Sequence, residues 1–101
     1  MKKYESLIKE IARIYFISLN NINGNKISSG EVDYFSPFYR YYIDVEETFR
    51  TLDSISQEII TKEYFYDGYP NWWIDKYDIK EFKKKKRIAV RDFVEAFYEI
   101  H

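Results

Sequence analysis

The stretch DIKEFKKKKRIAVRDFVEAFYEI, residues 78–100, decides the fold that we predict for this sequence. No glycine or proline interrupts it, so one long helix is expected from Ile79 to about Ile100. Asp78 stands at the cap position, with Glu81 three residues further on. An advance of 100° per residue separates the side chains into an apolar face and a basic face. The apolar face comprises Phe82, Ala89, Phe93, Ala96 and Ile100, flanked by Val90 and Phe97.

The basic face consists of five long cationic side chains within roughly 60° of Lys80 on the helical wheel. Its members are Lys80, Lys83, Lys84, Arg87 and Arg91. Residues 80–91 hold seven basic side chains and one acidic side chain, a net charge of +6, whereas the whole chain has a net charge of −1. Because the positive charge is concentrated in one helix, a nearly neutral chain can still attract phosphates. A merely solvated lysine-rich surface is the alternative.

Two amphipathic helices are predicted in the first half of the chain. Apolar residues at three- and four-residue steps predict a helix over residues 3–19. Residues 20–30 contain Asn23-Gly24, which predicts a loop, with a small hairpin as the alternative. Ser36 and Pro37 then fit the cap and the first position of a second helix that ends near Asp53. The expected core contacts of these two helices are Tyr4, Leu7, Ile8, Ile11, Ile14, Tyr15 and Leu19, then Phe38, Tyr42, Val45, Phe49 and Leu52.

Two shorter helices are predicted before the last one. Ser54 and Gln57 have the spacing of a capping box, which predicts a third helix over residues 54–65. Its expected core contacts are Ile55, Ile59, Ile60 and Tyr64, and Asp67-Gly68 is expected to end it. A short helix is then predicted from Pro70 or Asn71 to Tyr77, with Trp73 and Tyr77 in the core and Trp72 half exposed. We therefore predict one all-α domain, residues 1–101, of four to five helices, with a helix-turn-helix at about residues 54–100 and a long last helix.

Composition excludes most enzyme classes. The chain has no cysteine, its only histidine is His101, and its three glycines form no phosphate-binding loop. The neighbouring Asp44, Glu46 and Glu47 point apart on a helix and are expected to form a solvated surface. We therefore predict a non-catalytic protein with no cofactor, metal or small-molecule substrate. The longest apolar stretch, residues 14–17, is far too short to span a membrane, so a cytoplasmic protein with no membrane partner is expected.

The order of a capped helix, a short aromatic helix, a tight turn and a basic helix resembles the region 4 helix-turn-helix of sigma factors. It is still more similar to small phage transcriptional regulators of the ArpU and RinA kind, and it also resembles a small uncharacterised mollicute family. The likeness covers roughly residues 45–97. It is carried by Phe49, Leu52, Gln57, Ile60, Tyr64, Phe65, Trp72, Trp73, Tyr77, Phe82, Lys84, Lys86, Ala89 and Phe93.

The resemblance implies a transcriptional regulator that places its basic last helix in the major groove of double-stranded DNA. RNA polymerase or a second copy of the chain is the protein partner that it implies. Where such regulators tend to have Ser or Thr at the start of the recognition helix, this chain has Asp78, Lys80 and Glu81. Lys80 and Lys84 are therefore the expected DNA contacts at that end.

A second hypothesis is a protein-protein interaction module or a homodimer that uses exposed tyrosines and an acidic surface. Residues 1–70 hold eleven acidic and eight basic side chains, a net charge of −3, and the chain has 11 Tyr. Tyrosine is enriched at protein interfaces. The group Tyr34, Phe35, Phe38, Tyr39, Tyr41 and Tyr42 contains only one basic residue, Arg40, so core packing and a protein interface are favoured over base stacking.

Overall fold

A computed structural model describes residues 2–29, 33–65 and 70–100. In these ranges the chain forms four α-helices and no strand: α1 (Lys2–Ser29), α2 (Pro37–Arg50), α3 (Ser54–Ile60) and α4 (Ile79–Ile100). One π-helical turn, Thr61–Phe65, continues α3. The predicted all-α fold is thus confirmed, while the expected break at Asp67-Gly68 lies outside the described residues. None of the helices in these ranges has the length and apolar character needed to cross a membrane.

The core lies where α4 packs against the other three helices. Phe93 of α4, Ile8 of α1 and Ile59 of α3 are completely buried there. Removing a large apolar side chain from water contributes about 1.5–3 kcal/mol, so these contacts fix α4 against the rest of the fold. The buried core cluster comprises Ile8, Ile11, Val45, Ile59, Ile60, Phe82, Ala89, Val90, Phe93, Val94 and Phe97.

Helix α1 is ten residues longer than the sequence pattern predicts at its C-terminal end, since it runs to Ser29 and not to residue 19. The predicted loop at residues 20–29 and its alternative hairpin are therefore wrong. Asn and Gly weaken a helix by only about 0.5–1 kcal/mol each, and α2 packs along α1. Ile22 is half-buried, so the helix gains an apolar contact beyond its predicted end.

The start of α2 agrees with its prediction. The side-chain oxygen of Ser36 accepts a hydrogen bond from the backbone nitrogen of Phe38 at 3.1 Å, and Pro37 occupies the first helical position. The helix ends at Arg50, three residues before the expected end near Asp53. The core side of α2 differs from the prediction at two residues. Phe38, a predicted core contact, is 37% exposed, and Thr48, which was not predicted to be in the core, is fully buried.

Helix α3 begins with a different cap from the one predicted. Asp53, and not Ser54, is the cap residue, and its Oδ1 accepts from the backbone nitrogen of Ser56 at 2.7 Å. Gln57 donates through Nε2 to the backbone oxygens of Phe49 and Leu52 instead of closing a capping box. Together with the π-helical turn, α3 nevertheless ends at Phe65 as predicted.

Residues 70–76 form successive turns in place of the predicted short helix. Helix-like backbone bonds are limited to a few, such as those from Ile74 to Asn71 and from Tyr77 to Trp73. Such a short segment is held by tertiary packing, and both tryptophans supply it. Trp73 stacks on Phe82, and Trp72 meets the same ring edge-on at 5.7 Å, so both are half-buried against the core.

Candidate functional site

Asp78 caps α4, as the sequence predicts. Its Oδ1 accepts hydrogen bonds from the backbone nitrogens of Lys80 at 2.8 Å and Glu81 at 3.0 Å. These bonds satisfy two of the N–H groups that the start of a helix leaves without partners. The first turn of α4 is therefore well ordered, and it carries an acidic residue on each side of Lys80.

All five residues of the basic face are exposed to solvent. Lys80, Lys83, Lys84 and Arg87 form no ion pair with any residue in the described ranges. Arg91 differs, because its Nη2 lies 3.3 Å from Asp92 Oδ1, although half of its side-chain surface remains accessible. An exposed ion pair of this kind contributes little energy and is readily exchanged for another partner. The basic face thus presents its charges outward.

Lys85 and Lys86, which do not belong to the basic face, contact neighbouring side chains. Lys86 Nζ lies 3.8 Å from Glu63 Oε1 and 5.5 Å from the ring centroid of Tyr64. Lys85 Nζ lies 6.0 Å from the ring centroid of Tyr77. Both lysines are half-buried. The cationic charge that faces solvent is therefore smaller than the count over residues 80–91 indicates.

The buried side of α4 is rotated from its predicted position by roughly 50°. Val94, which lies outside the predicted apolar face, is 2% exposed, whereas Ile100 is 52% exposed. The rotation brings Val90 and Val94 into the buried core. Lys84 consequently points almost directly away from the core, and Lys83 and Arg87 lie at the edge next to α1, where Glu5 lines the same shallow cleft.

The C-terminal half of α4 presents acidic groups that the sequence analysis left out of the site. Asp92, Glu95 and Glu99 line a cleft with Asp53 at the start of α3. Tyr4 Oη donates to Glu95 Oε1 at 2.9 Å, and this hydrogen bond to a carboxylate raises the pKa of Tyr4. The helical wheel that separates the basic and apolar faces also places Asp92, Glu95 and Glu99 together between them, so the sequence alone could have predicted this acidic surface. The outward surface of α4 is thus basic at its start and acidic at its end.

A second group of cations lies beside Trp72. Lys62 Nζ lies 4.7 Å from the Trp72 ring centroid, and Lys76 Nζ lies 5.9 Å from it. Glu58 pairs with both lysines, and its hydrogen bond from Lys76 at 2.9 Å is the main cause that lowers the pKa of this carboxyl group. Glu58 offsets one of these two charges, and neither lysine belongs to α4, so they do not extend the basic face.

The tyrosine-rich group proposed as a protein interface is mostly packed internally. Tyr39 and Tyr42 are half-buried, and their ring centroids lie 6.2 Å apart. The ring centroids of Tyr41 and Phe97 lie 5.5 Å apart. Tyr34 and Phe35 remain 67% and 98% exposed. The exposed part of this group is therefore limited to Tyr34 and Phe35, before α2, and Phe38 in its first turn.

Within residues 2–29, 33–65 and 70–100, no three His, Asp or Glu side chains are placed so that they could hold a metal ion. Comparison of the chain with family models, with curated proteins and with solved structures gives no match.

Proposed function

We propose that this chain is a cytoplasmic, non-catalytic protein that binds double-stranded DNA through the first half of α4 and regulates transcription. One observation supports the proposal above the others. Lys80, Lys83, Lys84 and Arg87 project outward from one helix and form no ion pair with the described residues. Exposed cations without acidic partners are available to DNA phosphates, and each phosphate contact releases condensed counterions.

The other side of α4 provides the rigidity that a recognition helix needs. Phe82 is 4% exposed and Phe93 is completely buried, so rotation of the helix would expose large apolar rings to water. A major groove admits one α-helix, and the residues near its N-terminal end reach the base edges. In this proposal, Lys80 and Lys84 enter the groove, and Lys83 and Arg87 contact the flanking phosphates.

The acidic end of α4 limits how the helix can lie on DNA. Asp92, Glu95 and Glu99 would repel phosphates if the full length of the helix followed the groove. An orientation in which the N-terminal end enters the groove and the C-terminal end points away avoids this repulsion. Arg91, next to Asp92, then contributes as a peripheral phosphate contact.

Fluorescence anisotropy with a labelled random-sequence duplex tests the proposal directly. With three phosphate contacts, from Lys83, Arg87 and Arg91, the logarithm of the association constant should fall with the logarithm of salt concentration with a slope of about −3. Lys83→Ala or Arg87→Ala should each reduce the magnitude of this slope by about one, whereas Lys84→Ala should weaken binding with a smaller change in slope. Arg50→Ala is the matched control, because Arg50 is an exposed cation at the end of α2 and lies outside the basic face.

Two results would contradict the proposal. One is the lack of any anisotropy change at low salt with folded protein. The other is equal weakening by Arg50→Ala and Lys84→Ala, which would show that attraction to DNA is not localised on α4.

A further inference from the structure

A recess of about 200 Å³ opens between α1, α2 and the π-helical turn. Its wall is mainly apolar and includes one carboxylate. It is lined by Tyr15, Val45, Glu46, Phe49, Thr61 and Phe65. A π-helical turn widens the helix locally, and such turns are frequent at functional sites. The recess is separate from the basic face of α4.

Glu46 is held in place at the wall of the recess. Tyr15 Oη donates to Glu46 Oε1 at 2.7 Å, and burial raises the pKa of Tyr15, so the phenol remains a donor over the physiological range. The second carboxylate oxygen of Glu46 accepts no hydrogen bond from any residue in the described ranges. The sequence analysis placed Glu46 on a solvated surface, but its side chain is half-buried beside aromatic rings.

The chemistry of the residues that line the recess determines which kind of ligand Glu46 can bind. A neutral apolar ligand would remove water from the carboxylate without replacing the lost hydrogen bonds, which is unfavourable. A divalent cation needs several oxygen ligands, and among the described residues Glu46 is the only carboxylate that lines the recess. An ammonium group donates to the carboxylate and is also attracted by the faces of aromatic rings.

We propose that the recess binds a small organic amine, with its ammonium group on Glu46 and its apolar body against Phe49 and Phe65. The volume is suitable, because an apolar cavity of about 150 Å³ holds benzene, and a recess of about 200 Å³ has room for a ring with an aminomethyl group. Tyr15 completes the wall, since its ring meets that of Phe65 edge-on at 5.3 Å. This inference does not depend on DNA binding.

The test is a titration of the 101-residue chain with benzylamine, followed by the backbone amide signals of residues 15, 46, 61 and 65 in heteronuclear NMR spectra. A ligand of this size is expected to bind with a Kd on the order of 1 mM. Benzyl alcohol has the same shape without the charge and should bind at least about tenfold more weakly. Glu46→Gln should weaken benzylamine binding by a similar factor.

Glu47→Gln is the matched control, because it removes one negative charge from the adjacent residue, which does not line the recess. Benzylamine should bind this variant as it binds the parent. Glutamine at position 46 can still accept the hydrogen bond from Tyr15, so the fold should persist, and circular dichroism checks this. Equal binding of benzyl alcohol and benzylamine, unchanged binding to Glu46→Gln, or no saturable shift of these signals would overturn the proposal.

Discussion

The indole ring of Trp73 lies flat on the ring of Phe82, with 4.5 Å between the ring centroids and 6° between the ring planes. This contact joins the turns of residues 70–76 to the first turns of α4. Because the segment has few backbone hydrogen bonds of its own, this ring pair and the edge-on contact of Trp72 with Phe82 attach it to the core.

Trp73→Ala is therefore expected to lower the free energy of unfolding by about 2–3 kcal/mol, less than the 3–5 kcal/mol typical of a fully buried aromatic residue. Trp73→Phe keeps a stacked ring and should lose less than half of that amount. Urea denaturation followed by far-UV circular dichroism measures both variants. An unchanged midpoint in Trp73→Ala would show that the stacking contact does not stabilise the fold.

The cap of α3 can be identified by a pair of neighbouring substitutions. Asp53→Ala removes the acceptor for the backbone nitrogen of Ser56 and should lower the free energy of unfolding by about 1 kcal/mol. Ser54→Ala is the control and should change it by no more than about 0.5 kcal/mol. Urea denaturation measures both variants. A larger loss of unfolding free energy in Ser54→Ala than in Asp53→Ala would show that Ser54 caps the helix, as the sequence predicts.

Gly24→Ala distinguishes a helix from a loop at residues 20–29. Gly24 lies inside α1, and an added Cβ would meet no atom within 4 Å. Alanine should therefore raise the free energy of unfolding by up to about 1 kcal/mol, because it favours the helix and restricts the unfolded chain. Gly24→Pro should lower it by about 3 kcal/mol. Thermal unfolding provides the measurement, and a destabilising Gly24→Ala would argue against a continuous α1.

Asp78→Asn separates helix capping from charge at the start of α4. Asparagine keeps an acceptor oxygen and caps a helix about as well as aspartate, so stability should change little. Loss of the negative charge beside Lys80 should strengthen DNA binding about threefold at low salt and less at high salt. Anisotropy titrations at two salt concentrations measure the change. Unaltered affinity would place Asp78 away from the DNA.

Stability should fall in alkaline solution because of buried tyrosines. Burial raises the pKa of Tyr41 to about 12 from its ordinary value of 10.0. The unfolded chain therefore releases this proton at a lower pH than the folded chain, and the stabilising contribution is lost as the pH rises from about 10 to about 12. Burial also raises the pKa of Tyr15 and Tyr64, so the total effect has the same sign.

Tyr41→Phe should show a smaller alkaline decline in the free energy of unfolding than the parent chain. Urea denaturation at several pH values from about 9 to 12 gives the two curves. Tyr34→Phe, at an exposed ring, is the matched control. Superimposable curves for the parent and Tyr41→Phe would refute the assignment to this residue.

The sequence alone determined the parts of this protein that depend on local interactions. The bounds of α4, its cap at Asp78 and the cap of α2 at Ser36 all follow from residues within one helical turn. Helical periodicity also placed the five cations of the basic face on the exposed side. Backbone hydrogen bonds and side-chain spacing act over three or four residues, so a local pattern contains the necessary information.

Tertiary structure alone decided which way α4 faces and which charges remain available on it. Val94 is buried in the core that α4 forms with the other helices, and the hydrogen bond from Tyr4 reaches Glu95 across 91 positions of the chain. Lys86 is likewise paired with Glu63, whereas Lys84 is directed to solvent. Such contacts join residues that are far apart in the sequence, so a local pattern contains no information about them. The extension of α1 beyond residue 19 also depends on tertiary packing, because Ile22 is half-buried and α2 packs along α1.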